Sequence, residues 1–190
     1  MQALLASYEK DAPLLRLAGL LAKNGWVLFG SAGTAKYLNG NNIPCRDVAD
    51  MVGKPILGHK VVTLSREIHA SILGTADDVA ELKQLGIEPY DLVYVTLYPL
   101  EKTIADASAT PQDVLNKTDI GGPTLLRSAA KGRKLALSSP AQIDDVERWL
   151  SNGSKEPERL ALAEKFAAAA ERRVAEYVGA SADYWEGKGK

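Results

Sequence analysis

Leu92-Val93-Tyr94-Val95-Thr96-Leu97-Tyr98-Pro99, followed by Thr118-Asp119-Ile120-Gly121-Gly122-Pro123-Thr124, decides how the rest of the chain is read. Val, Tyr and Thr in a short unbroken apolar run favour a strand buried on both faces, and Pro99 ends it because proline cannot donate to the ladder. Tyr98 is therefore expected at the strand's carboxyl end, the edge of an open α/β sheet beyond which ligands bind. Asp119 precedes a glycine pair whose backbone can approach a ligand closely. Pro123 suits the first turn of a helix that runs to Lys131-Gly132, with unpaired amides at its start. An acid, a phenol and an amide cradle are thus expected in one cleft.

Outward from this stretch, short apolar runs alternate with helical periodicity. Leu4-Leu5 reads as a first strand. A helix follows from Pro13 to Asn24-Gly25, with Leu14, Leu15, Leu17, Ala18, Leu20 and Leu21 at helical spacing. Trp26–Phe29 is a second strand, entering the small-residue turn Gly30-Ser31-Ala32-Gly33-Thr34 and a helix that Asn39-Gly40 closes. That turn serves either as an anion cradle or as a tight crossover needing glycine for geometry. Ile43–Asp50 reads as another extended piece. The basic loop Lys54–Lys60 is either a solvated surface or a face toward an anion. His69, alone among apolar neighbours, is more often structural than catalytic. Helices are expected over 77–85 and 100–107, and from Thr110-Pro111 to Leu115, where an N-cap precedes a first-turn proline. Leu135–Leu137 is a strand and Pro140–Leu150 a helix. Glu156–Val178 is a long amphipathic helix with Leu160, Ala163, Phe166, Ala170, Val174 and Tyr177 on one face, and the residues through Gly187–Lys190 are expected to be disordered. The sum is a three-layer α/β sandwich around a mostly parallel sheet, residues 1–150, with a C-terminal helical extension and tail, 151–190, added on its outside.

Composition bounds the function. With 190 residues, 46% hydrophobic and 25% charged, the chain suits one globular domain, and a formal charge of -1 gives no electrostatic case for nucleic acid. Cys45 is the single cysteine, so no intrachain disulfide forms, and two histidines beside it are too few for a Cys/His zinc site. Without a basic-flanked leader or a run long enough to span a bilayer, a cytoplasmic protein is expected.

Leu97-Tyr98-Pro99, Asp119-Ile120-Gly121-Gly122-Pro123-Thr124 and Arg127-Ser128-Ala129-Ala130-Lys131 together resemble the inosine monophosphate cyclohydrolase domain of the bifunctional purine biosynthesis enzyme. The likeness extends across nearly the whole chain and implies a methylglyoxal-synthase-like fold and a homodimer. The chain ends before the formyltransferase domain that normally follows in that family, and a stand-alone cyclohydrolase is expected. The implied reaction is dehydrative closure of a formamido-imidazole carboxamide ribonucleotide to a purine nucleotide, without metal or other cofactor. By resemblance, Tyr98, Asp119 and Lys131 are catalytic, and Lys10, Gly33, Thr34, Lys60, Thr63, Thr96, Ile120, Gly121 and Gly122 hold the substrate and its phosphate.

Departures from the family pattern concentrate at the phosphate end. The family's Ser-x-Ser-x-Lys-Thr loop is Ala6-Ser7-Tyr8-Glu9-Lys10-Asp11 here, its Ser-Thr-Gly-Gly-Thr turn is Gly30-Ser31-Ala32-Gly33-Thr34, and Val62 replaces a site lysine. Hydroxyl donors and a cation are lost and an acid is gained, which opposes a phosphate dianion unless Asp11 faces away. Ser7, Ser31, His59 or Arg66 could restore the pocket. Otherwise the substrate is a modified or non-phosphorylated analogue, or the chain is a non-catalytic nucleotide-binding module. Methylglyoxal synthase itself fits less well, because its phosphate pocket is degraded.

Overall fold

A computed structural model describes residues 1–57 and 61–188. In chain order the elements are β1 (Gln2–Ser7), α1 (Ala12–Lys23), β2 (Val27–Gly30), α2 (Ala32–Gly40), β3 (Arg46–Asp47), α3 (Ala49–Val52), α4 (Arg66–Leu73), α5 (Val79–Gln84), β4 (Leu92–Thr96), α6 (Leu100–Ala105), α7 (Pro111–Asn116), α8 (Gly121–Lys131), β5 (Leu135–Leu137), α9 (Ile143–Ser151) and α10 (Glu156–Lys188). The strands form one parallel five-stranded sheet in the order β3-β2-β1-β4-β5. The parallel α/β sandwich expected from the alternating pattern is therefore present.

The apolar strands bury both faces. In β1, Ala3 and Leu5 join α1 and α9 through Leu14, Leu17, Leu21, Val146 and Trp149, while Leu4 points to the opposite face with Ile68 and Ile72 of α4 and Leu125, Leu126 and Ala129 of α8. β4 repeats this alternation, Leu92 and Tyr94 against Val93 and Val95. That is the period-two pattern of a strand covered by helices on both sides. Because every strand is parallel, Ser7, Gly30 and Thr96 end at the same edge. The chain leaves β1 toward β2 on one side and returns as β4 on the other, so a crevice opens between β1 and β4.

Several boundaries differ from the sequence expectation. β4 stops at Thr96, and Tyr98 lies beyond it in a connection where Pro99 becomes the residue before α6. Proline lacks the N–H of a further rung, and its preceding residue already turns away. The extended piece over 43–50 shrinks to Arg46–Asp47, paired with Phe29 and Gly30, before α3 begins. The helix expected over 77–85 splits into a 3-10 turn over Ala76–Asp78, where Thr75 and Asp78 form a capping box, and α5. α10 runs to Lys188 rather than ending at Val178, and Leu160 is 47% exposed, off the buried face. Ala163 and Phe166 of α10 pack in the α1/α9 cluster, and Ala167, Ala170 and Val174 pack in the α4/α8 cluster. α10, the added C-terminal helix, thus lies along the β5 side of the sandwich and contributes to both cores.

Candidate functional site

The β1/β4 crevice begins with the register pair Ser7 and Thr96. Their hydroxyls lie 2.7 Å apart, and Thr96 Oγ1 also accepts from the Glu9 N–H at 3.1 Å. The Tyr8 N–H donates to the Thr96 carbonyl at 3.1 Å. Thr96 therefore anchors the loop after β1. Thr34, fully buried in the first turn of α2, donates to the Ser7 carbonyl and accepts from the Ser7 N–H, both at 3.2 Å, and Ser31 Oγ donates to it at 3.1 Å. The Lys10 ammonium folds back onto the carbonyls of Ser7 and Tyr8. Its stem lies against Gly33, where an added Cβ would be 3.7 Å from Lys10 Cε. Desolvation lowers the Lys10 pKa, with Glu9 and Asp11 acting the other way. Asp11 caps α1, accepting from the Leu14 N–H at 3.0 Å. Lys10, Gly33, Thr34 and Thr96 are thus gathered at one end of the crevice, with much of their donor capacity used by the protein itself.

Asp119 forms the opposite wall. Its Oδ1 accepts from the Gly122 N–H at 2.9 Å, and the backbone N–H groups of Tyr98 and Gly121 also face the carboxylate. Burial nevertheless raises its pKa above 3.8, outweighing those amides. Gly122 is required by contact: a Cβ would stand 2.4 Å from Asp119 Oδ2 and 2.7 Å from Leu97 Cδ2. At Gly121 it would stand 2.7 Å from Thr63 Oγ1, so Thr63 borders the same loop. The N-cap residue of α8, Ile120, makes no capping bond and is 60% exposed, so Asp119 serves the first turn instead. The loop is pinned from α10, since Tyr177 OH accepts from the Asp119 N–H at 2.8 Å and donates to the Lys117 carbonyl at 2.9 Å.

Tyr98, 40% exposed, joins the two walls. Its ring sits 5.0 Å from that of Tyr8 at an interplanar angle of 53°. Burial raises the Tyr98 pKa, as do the nearby Asp119 and Tyr8, while Lys117 lowers it. Lys117 Nζ donates to Tyr8 OH at 3.2 Å and lies 5.3 Å from the centroid of the Tyr8 ring. The arrangement offers a carboxylate able to take a proton, two phenols able to relay one, and an ammonium.

Lys131 is not brought to this cluster. It is exposed at the other end of α8, about 15 Å from Gly121 along an axis that rises 1.5 Å per residue. Lys60 and His59 lie outside the described residues. Val62 packs on the α4/α8 core, and His69 Nδ1 pairs with Ser128 Oγ at 2.9 Å, tying α4 to α8. Sequence reasoning passed over Lys117, met Tyr177 only as part of the apolar face of the last helix, and met Tyr8 only as a lost serine. Lys117, two residues before Asp119, had a local signal in its position. Tyr177 had none.

Known proteins share this architecture. The MGS-like domain family matches residues 13–124. A bifunctional purine biosynthesis protein PurH of Cyanothece is 43% identical over 146 residues, 74% of this chain and 28% of that protein. The PurH of Xanthomonas campestris is 38% identical over 191 aligned positions, 96% of this chain and 35% of its own length. The chain therefore spans about a third of the curated relatives it matches. The crystal structure of ForH superposes with a TM-score of 0.82 at 30% identity, covering 97% of this chain and 98% of that one.

Proposed function

The chain belongs to the MGS-like domain family, and on that footing we propose that it closes the pyrimidine ring of a purine on a formamido-imidazole carboxamide ribonucleotide or a close analogue. The observation that carries this reading is the meeting of Asp119 and Tyr98 at the start of α8, at one end of the β1/β4 crevice. The carboxamide nitrogen attacks the formyl carbon of the same molecule, and the carbonyl pair moves onto oxygen. Asp119 takes the proton that this nitrogen sheds. The oxygen is protonated and leaves as water when the formamido nitrogen gives up its own proton and forms the ring C=N bond. Because both reactants belong to one molecule, holding the reactive rotamer supplies much of the acceleration. The Gly121 and Gly122 amides hold the Asp119 carboxylate in place, and the Tyr98 hydroxyl is suited to the developing oxyanion and the proton traffic. A homodimer working in the cytoplasm goes with this reading.

A second reading, closure of an analogue without the 5′-phosphate, is favoured by the state of the other end. The Lys10 ammonium and the Thr34 hydroxyl are bound to backbone of the β1 loop, and the Asp11 carboxylate occupies the start of α1. One experiment separates the readings: ultraviolet absorbance of the formamido-imidazole carboxamide ribonucleotide with purified protein, beside the same compound lacking phosphate. Conversion of the nucleotide supports the first reading, and conversion of the nucleoside alone supports the second. Conversion of neither would overturn both and leave a ligand-binding module.

A further inference from the structure

The reaction proposed above puts negative charge on the formyl oxygen, and the cations among the described residues differ in how they are held. Val62, where the family has a lysine, packs half-buried against the α4/α8 core, Lys131 is at the far end of α8, and the Lys10 ammonium is held by two backbone carbonyls. Lys117 differs from all three. Among the described residues it has no carboxylate within salt-bridge distance, and its ammonium donates to Tyr8 OH at 3.2 Å while lying over the Tyr8 ring at 5.3 Å.

We propose that Lys117, positioned by Tyr8 across the β1/β4 crevice, is the cation that stabilises the oxyanion of ring closure in this protein. The placement is built from both walls. Tyr8 is fixed by its N–H on the Thr96 carbonyl and by its ring on Tyr98, and the Lys117 backbone is fixed by the hydroxyl of Tyr177 on its carbonyl. An ammonium has more than one N–H bond, so donation to Tyr8 leaves others for a ligand oxygen. Tyr98, which borders Asp119, feels the Lys117 charge. The tyrosine that replaced a phosphate-loop hydroxyl thus gains a use in holding this lysine. In the closure step the new N–C bond forms as the carbonyl pair moves to oxygen. Lys117 stabilises that oxygen electrostatically, and the proton balance stays with Asp119 as described.

The inference rests on the cyclisation reading, so its test has two arms. In the first, Lys117→Met, Lys117→Arg and Tyr8→Phe are assayed for closure of whichever substrate the wild type converts. Lys117→Met should lower kcat by about a hundredfold with KM changed only a few-fold. Lys117→Arg should recover part of the loss, and Tyr8→Phe should cost about tenfold. In the second arm, xanthosine and inosine, each with and without 5′-phosphate, are bound by calorimetry. Xanthosine carries oxygen on the carbon that corresponds to the formyl carbon, so the wild type should prefer it and Lys117→Met should lose that preference. Wild-type closure with kcat and preference unchanged in a folded Lys117→Met protein overturns the role of Lys117 and leaves the cyclisation reading standing. Absence of closure with a Lys117-dependent preference keeps the cation site and removes the activity. Absence of both overturns both.

Discussion

Asp119 is held between burial, which favours its protonated form, and three backbone amides, which favour the carboxylate; burial wins. A carboxyl whose folded pKa lies above its ordinary value of 3.8 favours folding below that value, and this contribution is lost as pH rises through the folded pKa. Asp119→Asn, neutral throughout, should therefore melt no lower than the wild type at pH 7. Its ring closure should fall by about 10²–10⁴-fold, the usual worth of a positioned base. Melting curves by circular dichroism and the absorbance assay check the two halves separately; wild-type turnover would remove Asp119 from the chemistry. The acid limb of wild-type kcat/KM should lie above pH 3.8 for the same reason. Lys131 gives the contrasting case. Exposed at the end of α8, it should tolerate Lys131→Ala with kcat within a few-fold. Loss of closure in that variant would mean that the lysine reaches a site on a second copy.

At the scale of elements, α8 and α10 divide the work. α8 supplies the amides and the glycines that Asp119 and Thr63 press against. α10 fixes the preceding loop through one hydroxyl, since Tyr177 OH bridges the Lys117 carbonyl and the Asp119 N–H. Tyr177→Phe keeps the buried ring and removes only that bridge. Losing it leaves a loop donor without its partner, which costs about 1–3 kcal/mol. The expected outcome is a modestly lower denaturant midpoint with kcat reduced about tenfold. An unchanged kcat would show that the loop is held by the Gly122–Asp119 contact alone. The amphipathic spacing of α10 announced its buried face through Ala163, Phe166, Ala170 and Val174. It could not announce that the next residue on that face, Tyr177, ends at the loop that carries Asp119.

For the whole molecule, α10 tests whether the sandwich is complete without its last helix. Phe166 is fully buried and packs in the α1/α9 cluster, while Ala167, Ala170 and Val174 pack across the other face. Phe166→Ala should destabilise the protein by about 3–5 kcal/mol, the usual cost of removing a core aromatic ring. Chemical denaturation should show the loss in midpoint with an unchanged slope. A change under about 1 kcal/mol would identify α10 as a loosely applied appendage.

The sequence by itself determined the strand and helix alternation, the two-sided burial of β1 and β4, and the Asp119-Ile120-Gly121-Gly122 loop, because each follows from local periodicity, turn chemistry or a contiguous motif. It also placed Tyr98 beside that chemistry, although the strand ends earlier than expected. Tertiary structure alone decided which cation stands beside Tyr8 and Tyr98. Lys131 is joined to Asp119 by sequence motif but separated from it by the length of a helix, whereas Tyr8 and Lys117 are far apart in the chain and 3.2 Å apart in space. A helix carries its two ends away from each other, and a parallel sheet brings the ends of distant strands to one edge; no local pattern in the chain records either distance.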